Sequence, residues 1–363
     1  MIENNKNGKR MEKQLIDKSD AKWAHPLIKN SYPPQLNGYP VPFYDPDFPQ
    51  DVKLATREKV CVELAKMFGS SDDMMHGWKT YEVTKGCPEE SDAPTLKIDV
   101  LEPEKKGKKK RPVVISINGG GLVYCSTILY QPYNGVFAEK YGAIVVSPIF
   151  RTCIDAPYPA AINDLHAAYQ WILDNAETLN ADPDNITIFG TSSGAHLGLA
   201  LTFRLKRYGY RPRGCVASMP ITDERMTKAC SRTYVSDGEW SGENIRDNAV
   251  MWLGKNYGSP FIGPEAYVNH ATVDECKGLC PIFINTFDLD PDCQYNLEFV
   301  DKLLQAGVYV DYHITSGCSH GMGGLAAVDE NVGEYMKREN EEIFNSVHEC
   351  MAYDLRRELK HSV

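Results

Sequence analysis

The sequence predicts an α/β protein, a mostly parallel central sheet with helices on both faces and an N-terminal cap. Three observations carry this. From Trp78 onward, β-branched and apolar runs alternate with helix-patterned segments. The pentapeptide Gly190-Thr191-Ser192-Ser193-Gly194 stands between one such run and a helical pattern. Each chemistry-bearing group falls just after a strand, where open α/β sheets bind their ligands.

The chain of 363 residues suits one large α/β domain with additions. Residues 1–71 read as a cap or lid and residues 72–363 as the main domain. The segment from Tyr32 to Pro49 is too rich in proline for a central strand, and Val60, Leu64, Met67 and Phe68 then share one helical face. Trp78 to Val83 and Thr95 to Leu101 read as strands joined through the turn-rich Lys85 to Pro94. The basic cluster Lys105 to Arg111 reads as a solvated hairpin loop. Pro112 to Ile117 and Ala143 to Phe150 are strands flanking a helix over Tyr133 to Tyr141.

A long helical pattern from Ala160 to Leu179 leads, through Asp182-Pro183-Asp184, into the buried strand Asn185 to Phe189. Beyond the pentapeptide a helix runs to Tyr208, followed by a strand from Gly214 to Met219. The next about sixty residues are too many for a plain crossover. This insertion, residues 221–278, is assigned with the cap; within it Ile245, Ala249 and Trp252 keep helical spacing. The strand Pro281 to Phe287, a helix Gln294 to Ala306, the strand Val308 to Thr315 and a helical region from Glu334 complete the order.

A formal charge of −10, without a long basic stripe, gives no reason to expect nucleic acid or an anionic membrane surface as a partner. No run approaches the length of a membrane span. Eleven cysteines form no regular framework, and residues 1–20 carry no apolar stretch of the signal-peptide kind, so a reducing cytoplasm is expected. Cys276 and Cys280 lack two further ligands at zinc spacing and read as buried thiols. No cofactor or metal is expected.

A Gly-x-Ser-x-Gly turn between strand and helix lifts its serine above the sheet edge. Ser192 is therefore the candidate nucleophile, and it needs a base and an acid to orient that base. With the order serine, acid, histidine, His320 is the candidate base, since it stands in a loop immediately after the last strand. His196 lies inside the helix, His313 inside a strand, His348 and His361 in the C-terminal region, and His270 precedes the acids. Three carboxylates, Asp288, Asp290 and Asp292, follow the strand that ends at Phe287. Spacing alone does not separate them, and Asp288 is preferred as the first off the strand. Asn118-Gly119-Gly120-Gly121 follows another strand; with the Ser193 amide, its backbone can supply oxyanion donors.

Together these residues resemble the hormone-sensitive-lipase-like, or bacterial family IV, esterases of the α/β-hydrolase fold. The likeness runs from about Pro112 to Met322. Phe150 to Ala161 looks like the family's YRLAPE…FPA segment, Phe287-Asp288 like the start of EFDPLRDEG, and Ser319-His320-Gly321-Met322 like HGF. Separations of 96 residues from Ser192 to Asp288 and 32 from Asp288 to His320 are also typical of it. The resemblance implies a serine carboxylic-ester hydrolase using Ser192, Asp288 and His320, with Gly120, Gly121 and Ser193 as the foremost oxyanion donors. Members often form homodimers.

Asn118 stands where the family usually has histidine, Thr191 for a common Asp and Ser193 for a common Ala. Amide, peptide or lactone hydrolysis by the same groups, and small-molecule binding without turnover, are the competing expectations. The aromatic residues Tyr32, Tyr39, Phe43, Tyr44, Phe48, Trp240 and Trp252 suit either a substrate pocket or the packing of a lid.

Overall fold

The computed structural model describes residues 16–17, 43, 45, 47–67, 70–71, 75–104, 109–230, 233–234, 240–321 and 341–351. Tyr32, Tyr39, Tyr44, Phe68, Met322, His361 and most of residues 1–71 lie outside the described residues.

Eight strands form one sheet: β1 (Trp78–Val83), β2 (Leu96–Leu101), β3 (Arg111–Ile117), β4 (Ile144–Ile149), β5 (Ala181–Thr191), β6 (Gly214–Ser218), β7 (Ile282–Phe287) and β8 (Val310–Thr315). Their spatial order is β8-β7-β6-β5-β3-β4-β2-β1. The β1–β2 and β2–β4 pairs are antiparallel and the rest parallel. All eight stand where the apolar runs predict them. They are legible because a strand covered on both faces is apolar throughout, as in β6 and β7, where every residue is buried.

One connection corrects the sequence reading. β4 lies between β2 and β3, so the basic segment joining those two strands crosses over and is not a hairpin loop. Arg111, at its end, is 6% exposed, with its guanidinium 3.9 Å from Glu102. A hydrophobic pattern marks strands without naming their neighbours, and the pairing partner here is decided by the sheet order.

Alternate residues of the strands feed two cores, as the period of two requires. Val113, Ile115 and Ile117 enter the larger core with Ile188, while Val114, Phe189, Val216 and Phe283 enter the smaller. Helices α3 (Ala160–Asp174) and α4 (Ser193–Arg207) cover the first face. On the second, Phe137 and Ala138 of α2 (Gln131–Glu139) pack with Ile343, Val347 and Cys350 of a helix over 341–351.

Before the sheet, α1 (Gln50–Met67) buries Cys61, Leu64 and Ala65. It is tied to the loop after β4, where Arg57 Nη1 lies 2.6 Å from Asp155 and Gln50 Nε2 donates to the Ile154 carbonyl at 2.6 Å. In the insertion, α5 (Gly242–Leu253) starts at a Ser241–Asn244 capping box and buries Ile245, Ala249 and Trp252, the three residues that its spacing singles out. Ile16–Asp17 pairs with Thr233–Tyr234, which links the N-terminal segment to this insertion. After β7, α6 (Cys293–Gln305) returns the chain to β8.

Candidate active site

The turn at Ser192 follows from its glycines. A Cβ on Gly190 would stand 2.3 Å from the Gly194 carbonyl oxygen, and one on Gly194 would stand 2.1 Å from that of Ile117. Only glycine lets helix α4 begin so close to β3 and β5. Ser192 itself takes φ 53° and ψ −124°, a backbone region that costs a serine about 1–3 kcal/mol and persists only where neighbours enforce it. Its amide donates to the Ser218 carbonyl at 2.8 Å, and its carbonyl accepts from the His196 amide at 3.0 Å.

His320, 6% exposed, brings Nε2 to 2.8 Å from Ser192 Oγ. Its Nδ1 lies 2.6 Å from Asp290 Oδ2. The carboxylate on the base is thus Asp290, which corrects the preference for Asp288. The reason is a turn: the Asp290 amide bonds back to the Phe287 carbonyl at 3.1 Å, reversing the chain so that the third residue past the strand meets the histidine loop. Asp288 secures that loop instead, accepting the Gly317 amide on Oδ1 at 2.8 Å. Pro291 was the available signal. Asp290-Pro291 matches the Asp-Pro of EFDPLRDEG, a register two residues later than the Phe-Asp match.

Asp292 is fully buried at the start of α6. Burial first, and the Asp290 and Asp223 charges after it, push this carboxyl well above the usual range. Asp290, by contrast, is fixed on both oxygens: Oδ1 accepts the Asp292 amide at 2.9 Å.

The glycine loop reaches Ser192 through strand register, since Ile117 of β3 pairs with Gly190 of β5. Gly119 packs so tightly that a Cβ there would lie 2.7 Å from the Thr191 carbonyl oxygen and 3.0 Å from Ser192 Cβ. Gly120 at φ 134° and Gly121 at φ 62° then turn the chain, with the Gly120 carbonyl accepting the Val123 and Tyr124 amides. Asn118 is buried and braces the loop, donating Nδ2 to the Gly119 carbonyl at 2.9 Å and accepting Cys125 Sγ on Oδ1 at 3.6 Å. Thr191 Oγ1 bonds the Tyr130 hydroxyl beside it. Ser193 is the first residue of α4, so its amide belongs to the open N-terminal turn.

Four other described histidines lie apart from this relay. His196 is a packing residue: Nδ1 lies 2.8 Å from the Ile221 carbonyl, the ring contacts Tyr267 and Trp252, and burial pushes its pKa down to about 4. His270 pairs with Glu224 at 2.9 Å, His313 with Asp311 at 3.0 Å, and His348 stacks on Tyr141. Of the described aromatic candidates, Phe43 packs edge-on against Tyr124, and Trp252 is core, with Nε1 donating to the Ala266 carbonyl at 3.2 Å. Trp240 alone among them meets the site, stacked on His320. Sequence reasoning also missed Met219, at φ 43°, whose sulfur accepts the Gly321 amide next to His320.

All eleven thiols are outside disulfides, and Cys276 and Cys280 are buried. Among the described residues, no group of three or more His, Cys, Asp or Glu side chains is arranged to hold a metal, and no helix is long and apolar enough to cross a membrane.

A hydroxyl, an imidazole and a carboxylate bonded in series, at the carboxyl ends of a parallel sheet and beside a glycine loop, define the Ser-His-Asp class of α/β-hydrolase sites. A family model described as alpha/beta hydrolase fold matches residues 114–323, and the chain belongs to that family. The hormone-sensitive lipase of Bos taurus is 30% identical over 133 residues, which are 36% of this chain and only 18% of the lipase. Carboxylesterase NlhH of Mycobacterium tuberculosis is 27% identical over 219 residues, 60% of this chain and 68% of that protein. Among solved structures, a bacterial heroin esterase superposes with TM-score 0.72 at 24% identity, covering 85% of this chain and 95% of its own. The esterase of Pyrobaculum calidifontis gives 0.72 at 20% identity, covering 90% and 99%. These two likenesses show the fold.

Proposed function

We propose that the protein is a serine carboxylic-ester hydrolase acting on small or moderate-size esters through an acyl-enzyme. The observation that carries this is the continuous relay of 2.8 Å from Ser192 to His320 and 2.6 Å from His320 to Asp290. His320 Nε2 takes the Ser192 proton as Oγ bonds to the ester carbonyl carbon, while Asp290 holds the imidazole tautomer and balances the charge it acquires. The carbonyl electron pair moves onto oxygen, where backbone N–H groups of Gly119, Gly120, Gly121 and Ser193 are the donors at hand. His320 then protonates the departing alcohol, and water repeats the cycle to release the acid.

An ester is the favoured substrate because the sequence relatives bear lipase and carboxylesterase names. Helix α1 and the insertion form the cap in this reading, supported by the Arg57–Asp155 tie and the Ile16–Thr233 pairing. The eleven unlinked thiols fit a reducing cytoplasm.

Replacing the nucleophile tests the proposal. Ser192→Ala, folded as judged by circular dichroism, is expected to lose at least about 10⁴-fold in kcat toward p-nitrophenyl butyrate. The alkyl fluorophosphonate label on the wild type is expected to vanish with it. An alanine variant hydrolysing at the wild-type rate overturns the assignment.

A further inference from the structure

We propose that Trp240 is a positioning residue of this site, its indole face stabilising the imidazolium that His320 becomes when it takes the Ser192 proton. The inference rests on the ester-hydrolase reading above. The ring nitrogens of His320 are engaged, Nε2 by Ser192 and Nδ1 by Asp290, which leaves the ring faces as a further route of stabilisation. Trp240 occupies one: the ring centroids are 5.5 Å apart and the planes 24° from parallel. An indole presents negative electrostatic potential from its face, and a cation there is attracted most strongly where water is excluded. His320 is 6% exposed.

Two features separate this contact from ordinary packing. A buried tryptophan normally has its N–H paired, as Trp252 does with the Ala266 carbonyl. Among the described residues the buried Nε1 of Trp240 has no hydrogen-bond partner, so the position is held at a polar cost. The residue is also delivered by a rigid element. It immediately precedes Ser241, whose capping box with Asn244 starts α5, and the buried Ile245, Ala249 and Trp252 fix that helix to the body.

In the chemical step the Ser192 Oγ–H bond breaks, Oγ bonds to the carbonyl carbon, and the proton arrives on Nε2, so the imidazole gains a full positive charge. Asp290 meets that charge in the plane and Trp240 from the face. Among the described residues, the other ionisable groups around His320 and Asp290 include Asp288, acting through Gly317, Asp292 beside Asp290, Asp223, whose charge acts on Asp292, Tyr312, which feels the Asp290 charge, and the buried Cys318.

The test is the pH dependence of kcat/KM for p-nitrophenyl butyrate in wild type, Trp240→Phe and Trp240→Leu. Loss of an imidazolium stabiliser keeps the base neutral to lower pH, so the acid limb moves down while the plateau falls. For Trp240→Leu we expect about a tenfold lower plateau of kcat/KM and an acid limb displaced by about one pH unit, with Trp240→Phe between it and wild type because phenyl offers a weaker face. If the leucine variant does not fold, the smaller displacement in the phenylalanine variant carries the test. A structural role alone would slow the enzyme without moving the limb downward. An unmoved or upward limb in folded variants of an active wild type overturns this inference and leaves the hydrolase reading intact. A wild type inactive on esters and unlabelled by fluorophosphonate overturns both.

Discussion

Two residues apart in sequence, Asp288 and Asp290 answer to different partners. Asp290 bonds His320 Nδ1 and Asp288 bonds the Gly317 amide. Asp290→Asn is expected to lower kcat by about 10⁴-fold, because an amide there favours the wrong histidine tautomer. Asp288→Asn keeps an oxygen for the Gly317 amide and should stay within about tenfold of wild type. Steady-state kinetics on one ester separates the two, and equal losses would sink the distinction. Ser192 and His320 were legible in the sequence because strand order and loop position single them out. The acid was legible only through Pro291 after it, since a turn whose hydrogen bond runs from Asp290 back to Phe287 leaves no periodic trace. Trp240 was named only as one of several aromatic residues, and its ring contact spans a distance no local pattern records.

At the scale of elements, the junction of β5, β3 and α4 is the least forgiving. A Cβ at Gly194 would strike the backbone of β3, which cannot move without shifting the sheet. Gly194→Ala is therefore expected to cost more than about 3 kcal/mol or to prevent folding. Gly135, inside α2, meets nothing within 4 Å, and Gly135→Ala should instead stabilise by up to about 1 kcal/mol. Urea unfolding of the two variants checks the contrast, and similar midpoints would refute it. Helices and strands were readable here because burial imposes period and composition on them. Their pairing was less so: the segment before Arg111 looks like a hairpin until β4 is found between the strands it joins.

Across the whole molecule, buried histidines couple folding to acidity. His166 has both ring nitrogens unpartnered among Tyr208 and Tyr210, and burial, followed by the nearby Arg204 charge, pushes its pKa down to about 4. The unfolded chain binds this proton near pH 6.5 and the folded one near 4, so between those values the unfolded state holds more protons and stability falls as pH falls. The cost is roughly 3 kcal/mol by pH 4. Asp292 acts in the opposite sense, because its raised carboxyl binds a proton more tightly when folded. The clean measurement is therefore a comparison: His166→Phe should lose less unfolding free energy than wild type between pH 7 and pH 4.5. Parallel losses would exclude the histidine as a source.

The last strand, β8, has only one neighbour, and all six of its residues keep some solvent exposure. Asp290 and His320 hang from the ends of β7 and β8, while Ser192 stands at the middle of the sheet, between β3 and β6. The nucleophile thus belongs to the interior of the sheet and its base to a loop at the rim, where local opening requires less free energy than at the centre. Warming would then withdraw the imidazole from a serine still held in place, and the chain would fall silent as a catalyst while its interior remained solid.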